Sequence, residues 1–251
     1  MKKLLSLAAI CLFSAYTATA QDYKKVTWGL RLGANIASMS NLGESGEGYN
    51  FKNKVVAGVN VGAIVDVRLH KFFAFQTGLY YSMQGGKAKV EANESPNDNY
   101  MQSEINTSYL KVPLLASFRY DFKTKCPVQM QISTGPYLAV AIGGKQKFTG
   151  KESGKEIAED SWKMFGTDIQ KFGENEQYEE DMSNHANRGD IGWVVDLGFV
   201  IAKHYYIGAS YNAGLVNIDN GNGALTYKKE GSKEYEKTKN SVISVSIGYN
   251  F

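Results

Sequence analysis

The chain has 251 residues, 26 of them Gly and only 4 Pro, with 43% hydrophobic and 12% aromatic content. That length suits one large β domain or two small domains and can bury a sizeable core, and the aromatic content excludes a disordered chain. Its 28 basic and 25 acidic residues nearly cancel, a balance that argues against a nucleic-acid binder.

The first twenty residues have the layout of a secretory signal peptide. Lys2 and Lys3 form the charged start, residues 4–13 the apolar run, and Ala18-Thr19-Ala20 the A-x-A cleavage site. The predicted division is therefore a cleaved segment 1–20 and a single domain 21–251. Cys11 raises a lipoprotein alternative, which Ile10 before it disfavours. Cleavage leaves Cys126 as the only cysteine, so neither an intramolecular disulfide nor a C-x-x-C motif is expected.

No stretch of the mature chain has eighteen consecutive apolar residues, which excludes helical spans. Period-two alternation appears instead, eight times. Its apolar sets begin with Trp28, Leu30, Leu32, Ala34 and Ile36, then Val55 through every second residue to Val67, then Phe73, Phe75, Thr77, Leu79 and Tyr81. Leu110, Val112, Leu114, Ala116, Phe118 and Tyr120 make the fourth; Val128, Met130, Ile132, Leu138 and Val140 the fifth. Trp193, Val195, Leu197 and Phe199 follow, then Ile207, Ala209 and Tyr211, and last Ile243, Val245, Ile247, Tyr249 and Phe251. Pro136 interrupts the fifth set, and a bulge at Gly135-Pro136 is predicted there. The connections alternate. Residues 68–71, 123–127 and 202–204 are tight turns, whereas 39–54, 85–106, 143–189 and 216–240 read as long polar loops.

All long loops at one end, an even strand number and strands long enough to cross a bilayer predict an all-β fold: an eight-stranded antiparallel transmembrane β-barrel, an up-and-down meander with short periplasmic turns and long extracellular loops. A lipocalin has the same alternation turned inside out, but its polar face would meet water and carry about 25–35% charge. Here the polar faces hold chiefly Arg31, Asp66, Lys111, Arg119, Asp121 and Asp196 among Gly, Ser, Asn and Gln, which suits a crowded lumen. Trp28, Phe72, Phe73, Tyr120, Phe122, Tyr205 and Phe251 are expected to form a periplasmic aromatic girdle, and Tyr81, Trp193 and Tyr211 the opposite one.

Two stretches carry a resemblance. The alternation Ile243, Val245, Ile247, Tyr249, Phe251 at the C-terminus resembles the signal read by barrel-assembly machinery. Tyr109-Leu110-Lys111-Val112-Pro113-Leu114-Leu115 with Phe118-Arg119-Tyr120, and Gly135-Pro136-Tyr137-Leu138 after it, resemble the PorT-like outer-membrane β-barrel family of Bacteroidetes. The resemblance implies a small barrel of the OmpA/OmpX kind in the outer membrane of a Gram-negative bacterium. Its implied partners are outer-membrane lipid, periplasmic chaperones and the assembly machinery, with secretion-system components for relatives that support protein export.

Catalytic chemistry is not legible. His70, His185 and His204 fall in turns or loops without a paired nucleophile and acid, and H-E-x-x-H, G-x-S-x-G and P-loop patterns are absent. The acidic run Glu174, Glu176, Glu179, Glu180 and Asp181 lacks EF-hand spacing and reads as a solvated loop, with a short amphipathic helix near 157–172. No cofactor is expected. The six lumen charges read as a pairing network that plugs the barrel; the competing reading is a narrow ion path, in which Asp196→Ala should raise conductance. The expected function is that of a non-enzymatic envelope barrel acting through its loops or supporting secretion. The alternatives are a passive channel and a lipid-modifying enzyme.

Overall fold

The computed structural model describes residues 26–42, 49–92, 99–122, 125–165, 186–219 and 237–251. The proposed signal segment lies outside them. Within them the chain forms β1 (Val26–Met39), β2 (Tyr49–Lys54), β3 (Val56–Arg68), β4 (Phe73–Ala92), β5 (Tyr100–Phe122), β6 (Val128–Glu152), β7 (Lys155–Lys163), β8 (Gly189–Ile201), β9 (Tyr205–Gly214) and β10 (Asn240–Asn250).

Eight of these close a ring. The antiparallel order is β1-β3-β4-β5-β6-β8-β9-β10, and β10 returns to β1 from Gly29↔Asn250 to Met39↔Asn240. Every ring strand neighbours its sequence successor, so this is the expected eight-stranded meander without an open edge in the wall. Side chains alternate between two environments. Leu30, Leu32, Val61, Leu79, Leu114, Leu197, Val245 and Ile247 stand on the exposed outer face, while Arg31, Asn60, Lys111, Ser117, Arg119 and Ser133 are buried inside. Apolar outside and polar inside is the inverse of a water-soluble domain and matches a lipid-facing wall.

Aromatic rings gather at the turn end. Trp28 stacks on Phe251 at 3.9 Å, Phe118 contacts both Phe72 and Phe73, and Tyr249 packs against Tyr205 and Phe251. Tyr120 and Phe122 make an edge contact. At the loop end the expected aromatics use their polar tips: Tyr81 Oη lies 2.9 Å from Ser108 Oγ, and Ser241 Oγ donates to Tyr211 Oη at 3.0 Å.

Four sequence expectations require correction. Much of the supposed loops 39–54, 85–106 and 143–189 is strand: β4, β5 and β6 run to 20, 23 and 25 residues, about twice the ~9–11 needed to cross a bilayer. β2 and β7 pair with the surplus of β4 and β6. The helix near 157–172 is, over Lys155–Lys163, strand β7; residues 166–172 lie outside the described chain. Ser153 and Gly154 both take positive φ (50° and 75°), the geometry of a tight hairpin turn whose twist matches the strands it joins. Finally, Asp121 does not line the lumen. It is exposed at the turn-end rim, where Gln129 Nε2 donates to it at 2.6 Å, because β5 has left the closed part of the wall by that residue.

The bulge is displaced as well. β6 keeps constant register with β8 through Gly135↔Val194 and Pro136↔Trp193, and the irregularity falls between Ser108 and Tyr109, where β6 carries an extra residue at Ile142. Pro136 is accommodated by lost ladder pairs rather than by a bulge: Leu114 and Leu115 have no partner on β6. Pro113 on β5 causes a similar gap on the β4 side. Side chains fill these gaps. Thr77 Oγ1 donates to Pro113 O at 2.8 Å, Thr134 Oγ1 to Val194 O at 3.0 Å, and Trp193 Nε1 to Thr134 Oγ1 at 2.8 Å. A backbone carbonyl in hydrocarbon has no water to turn to, so Thr77→Val is expected to cost about 1–3 kcal/mol. Urea titration of the folded band on an unboiled gel measures it; an unchanged midpoint would show that the Pro113 carbonyl needs no donor.

Candidate functional site

Two regions hold the polar chemistry: the lumen, and the sheet that rises beyond the apolar belt. In the lumen, glycines make room for tyrosines. A Cβ on Gly62 would meet the Tyr80 ring at 2.4 Å, one on Gly192 the Tyr137 ring at 2.4 Å, and one on Gly198 the Tyr206 ring at 2.3 Å. Large rings lying over bare backbone allow eight strands to be filled to near-solid density.

Five of the six charges singled out in the sequence do point inward, but only one pair among them is a direct ion pair, Asp66 with Arg119 near the turn end. The others are engaged differently. The Arg31 guanidinium lies 4.0 Å over the Tyr206 ring, and Tyr206 Oη donates to the Asp196 carboxylate at 2.9 Å. Lys111 Nζ donates to Asn212 Oδ1 at 2.9 Å. An amide layer crosses the lumen beside them: Asn60 Nδ2 and Ser244 Oγ donate to Asn35 Oδ1 at 2.6 and 2.7 Å, and Asn35 Nδ2 donates to Ser82 Oγ at 3.0 Å. Arg31, Lys111, Asp196 and Asn212 edge a cavity of about 60 Å³, room for a few waters and nothing larger.

Sequence reasoning missed Asp190. It is fully buried at the loop end of the lumen and accepts hydrogen bonds from Tyr137 Oη and Asn240 Nδ2, both at 3.0 Å. Asn240 Nδ2 also lies 3.4 Å from Tyr109 Oη. Above this layer Met39, Ile105, Met164, Ala186 and Ile218 form an apolar cap. The lumen is therefore closed twice, by polar packing and then by a greasy lid.

The histidines stand apart from the lumen. His70 and His204 are in the turns after β3 and β8, with His204 Nδ1 2.8 Å from Asn250 O; His185 and the acidic run 174–181 lie outside the described residues. Among the described residues no three His, Cys, Asp or Glu groups converge as metal ligands. The terminal residues Ile243, Val245, Ile247 and Tyr249 face outward along β10, and Phe251, just after it, is exposed as well.

The projecting sheet has the order β2-β4-β5-β6-β7 and two unlike faces. Registers Lys52↔Lys89, Lys87↔Glu104 and Glu104↔Lys147 place the charges on one side. Ala88, Val90, Met101, Ile105 and Phe148 take the other, over the barrel mouth. Ion pairs tie the charged side: Lys87 to Glu104 at 2.6 Å, Lys89 to Glu91 at 2.7 Å, and Lys52 to Glu91. The hydrogen bond from Lys52, then that from Lys89, holds the Glu91 carboxyl down at about 2, and Lys87 lowers Glu104. Since the folded value is below the ordinary 4.5, this clamp contributes fully above about pH 4.5 and fades as pH falls towards 2. Hydrogen exchange in residues 49–54, corrected for its intrinsic pH dependence, should therefore show less protection at pH 2.5 than at pH 5. Equal protection would mean that Glu91 does not hold β2.

A closed, lipid-facing, filled ring of eight strands defines a small transmembrane β-barrel. The family described as outer membrane protein beta-barrel domain matches residues 18–220, and the chain belongs to it. It is an outer-membrane barrel. Among curated proteins no match was found. Solved structures similar in fold include Ail of Yersinia pestis in complex with the heparin analogue sucrose octasulfate, at 13% identity and a TM-score of 0.36, covering 91% of this chain and 100% of that one. OprG of Pseudomonas aeruginosa matches at 14% and 0.38, covering 93% and 99%. Neisserial surface protein A matches at 12% and 0.37, covering 91% and 100%.

Proposed function

We propose that this protein is a non-enzymatic, non-conducting barrel that acts at the cell surface through the sheet raised beyond its membrane-spanning wall. The observation that carries the reading is the division of labour along β4, β5 and β6. Their membrane portions enclose a lumen filled by side chains, while their surplus, widened by β2 and β7, builds an ordered platform at the long-loop end. In barrels of this kind the short turns are periplasmic and the long connections extracellular. A rigid wall below and an exposed platform above is the usual arrangement for recognition.

Support of protein secretion, implied by the PorT-like segment, is the second reading. Residues of that segment have work inside the wall. Tyr109 is fully buried in the layer under the cap, Lys111 bonds Asn212, and Pro113 sets the gap that Thr77 closes. Such a segment is explained by barrel construction alone.

Planar-bilayer recording of the purified protein, with Asp196→Ala beside it, tests the first part. The expected result is no stepwise conductance from either, with only a loss of thermal stability in the variant. Steps that grow in Asp196→Ala would establish the ion path instead. Comparison of culture supernatant and periplasm in a deletion strain tests the second part: an unchanged set of exported proteins supports the surface role, and exported proteins trapped in the periplasm would replace it with secretion.

A further inference from the structure

We propose that the lumen cavity is a binding site for one small monovalent anion, with chloride as its natural occupant, held between Arg31 and Lys111. The inference needs the filled wall but no role of the projecting sheet.

Strand register gathers the donors. Arg31 on β1 stands opposite Gly62 on β3, Gly62 opposite Tyr80 on β4, and Tyr80 opposite Lys111 on β5, so a single row crosses four strands. Gly62 has no side chain, and the Tyr80 ring lies over it, on the side of Arg31. The cavity opens on all three side chains, with Asp196, Ser210 and Asn212 on its other walls.

These donors outnumber their acceptors. Arg31 is buried and carries five N–H groups, yet its hydrogen bonding to protein is one contact, from Nη1 to Leu30 O at 3.1 Å. Its guanidinium is stacked on the Tyr206 ring at 4.0 Å, which leaves the edge of the fork free to donate sideways. Lys111 has three N–H groups; Asn212 Oδ1 takes one at 2.9 Å, and the Tyr137 ring stands 5.4 Å from Nζ. Tyr80 Oη makes no hydrogen bond among the described residues. Ser210 Oγ accepts from Asn212 Nδ2 at 3.4 Å, so its own proton is available.

Charge selects the occupant. The cavity lining carries two cations and one carboxylate. That carboxylate, Asp196, is engaged by Tyr206 Oη, 3.0 and 2.9 Å from its two oxygens. Neither Arg31 nor Lys111 is in an ion pair among the described residues. Asp190 is in the layer above, off the cavity, where its Oδ2 accepts from Tyr137 and Asn240. A buried cation without a counter-ion is expensive. Water accepts hydrogen bonds but leaves the charge standing, and a doubly charged oxyanion exceeds the single excess charge. A halide is little larger than the waters the space admits, accepts from several donors at once, and cancels that charge.

The test heats the folded protein in detergent in sodium chloride, bromide or gluconate at equal pH and ionic strength, and reads the temperature at which the folded band disappears from an unboiled gel. Gluconate is too large for the cavity. Chloride and bromide should raise that temperature by about 5 °C or more over gluconate, saturating as one site does. Lys111→Met keeps the bulk of the stem without its charge and should remove the halide response. Tyr80→Phe, which keeps the ring and deletes one donor, should raise the half-saturating concentration about tenfold and serves where Lys111→Met does not fold. Lys203→Gln, exposed in a turn, should respond as wild type. Crystals grown in bromide should show one anomalous peak between Arg31 and Lys111. The same temperature in all three salts overturns the proposal, as does a halide response that Lys111→Met or Tyr80→Phe keeps in full, or bromide crystals without the peak. A bromide peak with no stabilisation is an adventitious ion only and overturns it too.

Discussion

Arg119→Ala should destabilise the folded barrel by about 3–5 kcal/mol, the usual loss when one member of a buried ion pair is removed. Both partners are inside the wall near the turn end, Asp66 at 3% and Arg119 at 7% exposure, with carboxylate and guanidinium in contact. The alanine leaves Asp66 as a carboxylate with neither water nor its cation. Asp66→Leu combined with Arg119→Met should recover much of the loss, because an apolar pair of similar volume removes the stranded charge together with its partner. Urea midpoints of the folded band on unboiled gels read both effects. A double variant as unstable as the single one would show that the loss comes from packing and not from the orphaned charge.

A comparable loss is expected from Gly135→Val, for a different reason. A Cβ at Gly135 would lie 2.1 Å from the Leu114 carbonyl oxygen and 3.1 Å from Leu114 C and Leu115 Cα. Those are backbone atoms in the neighbouring strand, and they cannot rotate away as a side chain can. The ladder is already thinned there by Pro136, so the strands would have to separate in hydrocarbon, at a cost of about 3 kcal/mol or more. Gly143→Ala is the matched control: its Cβ would meet nothing within 4 Å. Equal fractions of folded protein from the two variants would contradict the close approach of β5 and β6 at this point.

The wall of this barrel was legible because its two faces differ in kind. On β5, Leu110, Val112 and Leu114 alternate with Lys111, Pro113 and Leu115, and lipid on one side and a crowded lumen on the other keep the strand in that register. Its lumen was legible as a set of inward charges but not as a set of partners. Pairing through Tyr206 and Asn212 depends on which strands are adjacent and at what height, and a single strand's pattern does not contain that. Asp190 escaped notice because it follows Gly189, where the apolar alternation of β8 has not yet begun. Asp121 has the inward parity of Lys111 and Arg119, yet its strand has already passed the turn-end rim.

The projecting sheet was hidden for another reason. Lys87-x-Lys89-x-Glu91 and Lys145-x-Lys147 alternate as regularly as the wall does, but their other halves, Ala88 with Val90 and Gln146 with Phe148, are only weakly apolar. Hydrophobic periodicity reads such segments as polar loop. The turn that folds β7 back was a two-residue Ser-Gly, a recognisable hairpin signal that was masked by the acidic stretch after it.

The placement of that sheet is the claim on which the rest depends, and cysteine labelling tests it most directly. In a chain with Cys11 and Cys126 both replaced by serine, Lys147→Cys places a thiol on the charged face of β6 and Lys203→Cys one in the turn between β8 and β9, both positions being exposed. A membrane-impermeant maleimide applied to intact cells should modify the first at once and the second only after the outer membrane is opened. Modification of Lys203→Cys on intact cells, with Lys147→Cys protected, would turn the barrel over and place the sheet, and every role argued for it, in the periplasm.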